Sequence, residues 1–118
     1  MLTNLFIILL EGDSEWCRIL GNRLPPEVEL ECVQSFAQAI EVKQNHRRVD
    51  AIVIGDGVSL DAQMVKQLRA IYPGPIIAGS AHDGINQTLI LAGCDHRVRT
   101  KVETAQVVTS ILRMQTRS

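Results

Sequence analysis

Aromatic side chains are scarce in this chain: one Trp, one Tyr and two Phe among 118 residues. A surface that stacks unpaired bases needs several exposed rings, so single-stranded nucleic acid is not an expected ligand. An excess of one charge is missing too. Twelve Lys and Arg against 13 Asp and Glu leave a formal net charge of −1, whereas a protein that holds nucleic acid by bulk attraction is basic. Long apolar runs are also absent. The N-terminal run Leu5–Leu10 has six residues and no preceding Lys or Arg. A signal peptide needs a basic start and a longer run, and a membrane span needs about 20 apolar residues. These absences predict a cytoplasmic chain with neither a membrane nor nucleic acid as direct partner.

The cysteines number three, Cys17, Cys32 and Cys94, with no CxxC pair. An odd count without that spacing fits a reducing compartment and argues against a disulfide scaffold or a cysteine zinc site. Cys94 follows a helix-ending Gly93 and reads as a small buried filler. His46, His82 and His96 share no metal-ligand spacing and read as solvated. Neither GxGxxG nor GxxxxGK[ST] occurs, and the Gly55-Asp56-Gly57 stretch is too short to cradle phosphates. A flavin or nucleotide enzyme therefore has no motif to stand on, and a small-ligand-binding module is only a distant third reading.

What is present is an alternation. Leu5–Leu10, Ala51–Ile54 and Ile76–Ala78 are apolar on both faces, as strands buried on both sides of a parallel sheet are. Val28–Val33 alternates apolar and polar, and His96–Thr100 is polar except for Val98, which suits edge strands protected by charge. Between them lie helix-period stripes. They are Trp16/Ile19/Leu20/Leu24 after a Ser14 cap, Phe36/Ala39/Ile40 after Ser35, and Met64/Val65/Leu68/Ile71 before Pro73. Ile85/Leu89/Ala92 before Gly93 and Ala105/Val108/Ile111/Leu112 complete the set. Five βα units predict a three-layer α/β/α fold. With the two weak strands at the edges, the five-stranded parallel sheet has the flavodoxin-like order 2-1-3-4-5. Residues 1–118 make one domain, with Met114 to Ser118 read as a tail or the start of a linker, and no room for an output domain.

Ligands of such sheets bind beyond the carboxyl ends of the strands. Glu11, Gly12 and Asp13 follow the first strand, Gly55, Asp56 and Gly57 the third, Ser80 the fourth and Lys101 the fifth. Grouped carboxylates can hold Mg²⁺ through oxygen. A carboxylate can accept a phosphoryl group, and a hydroxyl and an ammonium can stabilise its oxygens.

The stretches ILLEGDSEWCRIL, VDAIVIGDG, PIIAGSA and LAGCDHRVRTK resemble, in order and position, the receiver domain of two-component response regulators. The resemblance spans essentially the whole chain. It implies an acidic pair after strand one, a phosphorylated Asp after strand three, Ser or Thr after strand four and Lys-Pro after strand five. It also implies that strand five and its flanking helices form the surface for dimers and partners. Several positions depart from the pattern. Gly12 stands where the second acid belongs, and Asp13 follows it. Spacing from Asp50 puts the phosphoacceptor on Gly55, whereas spacing from Glu11 puts it on Asp56. The following loop is short and lacks its proline. Lys101 comes one residue late, and Val102 replaces the proline after it.

Each site residue has an ordinary reading beside the functional one. Asp56 between two glycines is a common turn residue. Glu11 and Asp13 sit where acids cap a first helix. Ser80 can satisfy loop backbone, and the offset Lys101 reads as a solvated charge. Arg97, Arg99 and Lys101, at period two, share one face of strand five, either as edge protection or as a basic surface for an acidic partner. The leading expectation is a degenerate receiver, or pseudo-receiver, that acts by protein–protein contact. Its partner is a sensor kinase, an output domain or a second copy met through Arg97 and Arg99. It is not an enzyme, beyond self-phosphorylation from a phosphodonor at most. The alternative is an atypical receiver phosphorylated on Asp56, assisted by Ser80 and Lys101, with Mg²⁺ held by Glu11, Asp13 and Asp56.

Overall fold

A computed structural model describes residues 4–46, 48–59 and 61–116. Strand β1 (Leu5–Leu10) leads to helix α1 (Ser14–Arg23), β2 (Val28–Val33) to α2 (Phe36–Asn45) and β3 (Ala51–Ile54) to α3 (Ala62–Ile71). Then β4 (Ile76–Ala78) leads to α4 (Asp83–Ala92), and β5 (His96–Arg97) passes through a 3-10 turn, Lys101–Glu103, into α5 (Thr104–Thr116). All strands pair in parallel in the order β2-β1-β3-β4-β5, as the apolar runs predict.

The period-two pleat sorts the core into two layers. Phe6, Ile8, Leu10, Ile52, Ile54, Ile76 and Ala78 meet Phe36 and Ala39 of α2, Val65 and Leu68 of α3 and Leu89 of α4. Leu5, Ile7, Leu9, Ala51, Val53 and Ile77 meet Leu20 of α1 and Ala105, Val108, Ile111 and Leu112 of α5. Every residue of β1 is buried, which is why that run shows no alternation. Burying one such aliphatic side chain contributes about 1.5–3 kcal/mol.

Several boundaries differ from the sequence reading. Asp13, not Ser14, caps α1: its carboxylate accepts from the amides of Glu15 and Trp16. An acid three residues after a strand reaches the first free N–H groups of the helix, and such a cap contributes about 1 kcal/mol. Strand β5 stops at Arg97, because after the Val98 amide bonds to the Ala78 carbonyl the chain turns toward Lys101. Met114 to Thr116 belong to α5 rather than to a tail, and residues 117–118 lie outside those described. Two of the three cysteines are not free: Cys17 and Cys32 form a disulfide. They lie 15 positions apart, and only the packing of α1 over β2 brings them together. Cys94 is buried and free as read. His46 is not simply solvated, since its ring stacks on Phe6 with centroids 4.2 Å apart. Among the described residues no helix is long and apolar enough to cross a membrane.

Candidate functional site

The register puts the ends of β1, β3 and β4 level: Leu10 pairs with Ile54, and Ile54 with Ala78. Glu11, one residue past this level, and Asp56 and Ser80, two residues past it, therefore leave the same end of the sheet. Glu11 is 1% exposed, and a buried carboxylate must be met by donors. Its Oε1 accepts from the Asp56 amide at 3.0 Å and from Lys101 Nζ at 2.8 Å, and its Oε2 accepts from the Asp13 amide at 3.1 Å.

Asp56 completes the cluster. The Ser80 hydroxyl donates to its Oδ1, while the Ala81 amide and Lys101 Nζ each lie 2.9 Å from its Oδ2. Burial by itself would raise the Asp56 pKa. The hydrogen bonds from Ser80, Ala81 and Lys101, with the ammonium charge, outweigh that and hold it below the ordinary carboxyl value. Burial would likewise lower the Lys101 pKa, but its bonds to Glu11 and Asp56 and their charges hold it above the ordinary ammonium value. Both groups are thus ionised at neutral pH, and Lys101 bridges two carboxylates. The Trp16 ring covers it from outside, its centroid 5.3 Å from Nζ, a distance at which the ring face attracts a cation.

Of Gly55 and Asp56, it is Asp56 that carries a side chain into the cluster. The Gly55 amide still bonds to the Leu10 carbonyl at 2.7 Å, as a strand residue does, and a Cβ on Gly55 would collide with Glu11 Oε1. Gly12 is equally constrained. Its amide donates to the Asp56 carbonyl at 2.8 Å, and a Cβ there would stand 2.5 Å from the Gly57 carbonyl oxygen. Gly57 itself has φ +76°, a conformation natural to glycine. The two loops touch backbone to backbone, and no side chain fits between them.

Four predicted residues converge here: Glu11, Asp56, Ser80 and Lys101. Lys101 is not a solvated charge, because its side chain is only 17% exposed. It also leaves the stripe expected with Arg97 and Arg99, since β5 ends before it. Asp13 does not join the cluster. Its carboxylate is engaged in capping α1, and among the described residues no three of His, Cys, Asp and Glu gather where a metal ion could be held. Glu11, Asp13 and Asp56 therefore do not gather around one point, and an ammonium lies between the two carboxylates that do meet.

Sequence reasoning missed Asn86. It is 1% exposed, and its side chain accepts from the Ser80 amide and donates to the Ser80 carbonyl, both at 2.9 Å. The signal was an amide in the first turn of α4, three residues before the core Leu89. Arg97 and Arg99 lie exposed beside α5. They line an open groove with Glu103, Val107, Ile111 and Met114.

No family model matches the chain, and no curated protein matches it in sequence. Solved structures do match in fold. A CheY-like response regulator receiver domain protein from Methanospirillum hungatei is similar at TM-score 0.78 and 11% identity, with 98% of each chain covered. A two-component response regulator from Clostridium difficile is similar at TM-score 0.76 and 19% identity, over 95% of this chain and 98% of that one. A Saccharomyces cerevisiae complex of a histidine phosphotransfer signalling protein with the receiver domain of its downstream response regulator matches at TM-score 0.76 and 15% identity, over 98% and 93%. The fold is that of the flavodoxin-like receivers.

Proposed function

We propose that this chain is a receiver-type signal-transduction domain that acts by protein–protein contact, its acidic site closed on itself rather than switched by aspartyl phosphorylation. The observation that carries this reading is the backbone contact of Gly12 with Gly57, which leaves no space for a second acidic side chain. With one acid missing, Lys101 supplies the counter-charge that Glu11 and Asp56 need. The domain does not turn over a substrate. Its partner is a sensor kinase, an output domain or a second copy, met through Arg97 and Arg99 and the adjoining α5. One structural neighbour is itself a receiver domain in complex with a phosphotransfer protein.

One observation favours a second reading, that of an atypical receiver phosphorylated on Asp56. The Asp56 carboxylate already meets a hydroxyl and an ammonium, Ser80 and Lys101. These are donors of the kind that stabilise phosphoryl oxygens. A single titration separates the two. Amide chemical shifts are followed while Mg²⁺ and then beryllofluoride are added. The closed-site reading expects no saturable change at Asp56, Ser80 or β5. Saturable shifts there, abolished by Asp56→Asn, would replace it with the phosphorylated form.

A further inference from the structure

The disulfide between Cys17 and Cys32 lies beside the acidic site but takes no part in it. Their Cα atoms are 6.3 Å apart, within the span that a bridge requires. Cys32 is exposed and Cys17 half-buried, so small thiols and disulfides reach the pair from solvent. Cys94 is unlike them. It is 7% exposed, and burial, then the nearby Asp95 charge, push its thiol up to about 12. It therefore supplies almost no thiolate to compete in exchange.

Each member of the pair neighbours a group that holds the acidic site. Val33, next to Cys32, accepts the Glu11 amide on its carbonyl at 2.9 Å. Trp16, next to Cys17, covers the Lys101 ammonium, and the Cys17 amide donates to the Asp13 carbonyl at 3.1 Å. A bond between the two sulfurs ties α1 to the edge strand β2 at Cys32, which pairs with Leu9, one residue before the Val33 carbonyl that holds Glu11.

We propose that Cys17 and Cys32 form a reversible dithiol–disulfide site whose oxidation state sets how firmly Trp16 is held over Lys101. The oxidant is a low-molecular-weight disulfide. The Cys32 thiolate attacks one of its sulfurs, forming a mixed disulfide and releasing one thiolate, which takes up a proton. The Cys17 thiolate then attacks the Cys32 sulfur, breaks the mixed bond and releases the second thiol. Two protein thiols lose two electrons and two protons, and one small disulfide becomes two thiols.

The test treats the whole chain with oxidised glutathione and then with dithiothreitol. Each state is alkylated under denaturing conditions and mapped by mass spectrometry without reduction. The lone tryptophan serves as the optical reporter. Oxidation is expected to join the Cys17 and Cys32 peptides and remove both from alkylation. It should also change Trp16 emission and shift the Lys101 and Asp56 amide signals, all reversed by dithiothreitol. Cys32→Ser, checked for native circular dichroism, should remove these responses together. Three alkylatable thiols after glutathione disulfide would overturn the proposal. So would a joined peptide with Trp16 emission and both amide signals unmoved.

Discussion

Lys101 shows how one ammonium can organise a site. It faces a fully buried Glu11 side chain and a mostly buried Asp56, and neither carboxylate is well placed without it. Removing one partner of a buried pair leaves an uncompensated charge, which costs about 3–5 kcal/mol in full burial. Lys101 keeps some contact with water, so Lys101→Met should lower stability by about 2–3 kcal/mol, read as a lower urea midpoint. The titrations bear on pH in opposite senses. Asp56 has a folded pKa below its ordinary value, so its contribution is complete above the unfolded pKa near 3.8 and is lost as pH falls through the folded value. Lys101 has a raised pKa, so its contribution is complete below 10.5 and is lost as pH rises through the folded value. Urea midpoints should therefore fall faster in acid for the wild type than for Asp56→Asn, the two curves converging below about pH 4. Equal slopes would dissociate Asp56 from acid stability. Gly12→Asp is the informative attempt to restore the missing acid. Its Cβ would meet the Gly57 carbonyl, so a loss of about 1–3 kcal/mol is expected, as for other overpacked positions, with no gain in Mg²⁺ affinity by calorimetry.

At the scale of elements, the helices and strands follow from patterns that a sequence exposes directly. Leu5–Leu10 and Ala51–Ile54 are buried throughout, and the Ser35 cap and Gly93 terminus fall where their residue types favour them. The joints between elements are less legible. Arg69 of α3 donates to the carbonyls of Tyr72, Gly74 and Gly93 and to the Asp95 carboxylate, 2.5–3.1 Å away. It thereby locks the end of α3 to the end of α4 and the start of β4. In the sequence it is one more polar helix residue, because its partners are mostly backbone atoms, up to 24 positions away, and one carboxylate 26 away. Arg69→Ala should cost about 2 kcal/mol, since several charge-assisted bonds to carbonyls are lost together. Arg69→Lys should recover only part of that, because an ammonium cannot reproduce the planar fork. Thermal melts of the three proteins decide the order.

Over the whole molecule, two chemically different regions are kept apart. The acidic cluster at the carboxyl ends of the strands is partly offset by Lys101, and the basic residues Arg97 and Arg99 stand on the β5–α5 side with Met114 exposed nearby. Reversing both charges, Arg97→Glu with Arg99→Glu, should weaken self-association or partner capture without changing circular dichroism. The remaining attraction should depend less on salt, as exposed charges are screened within about 8–10 Å. Sedimentation and binding at two ionic strengths check this, and unchanged behaviour would remove that face as the interface. The sequence by itself determined the βα alternation, the sheet order and the end of the sheet where Glu11, Asp56, Ser80 and Lys101 gather. Those properties depend on local periodicity and on the handed, short connections of a parallel sheet. Only the tertiary structure decided that Asp56 rather than Gly55 faces the site, because one residue turns a side chain to the other face. It also diverted Asp13 to a helix cap, turned Lys101 inward, closed Gly12 against Gly57 and joined Cys17 to Cys32. Each of those outcomes depends on distances of a few ångströms between segments far apart in the chain, which residue types and spacing do not specify.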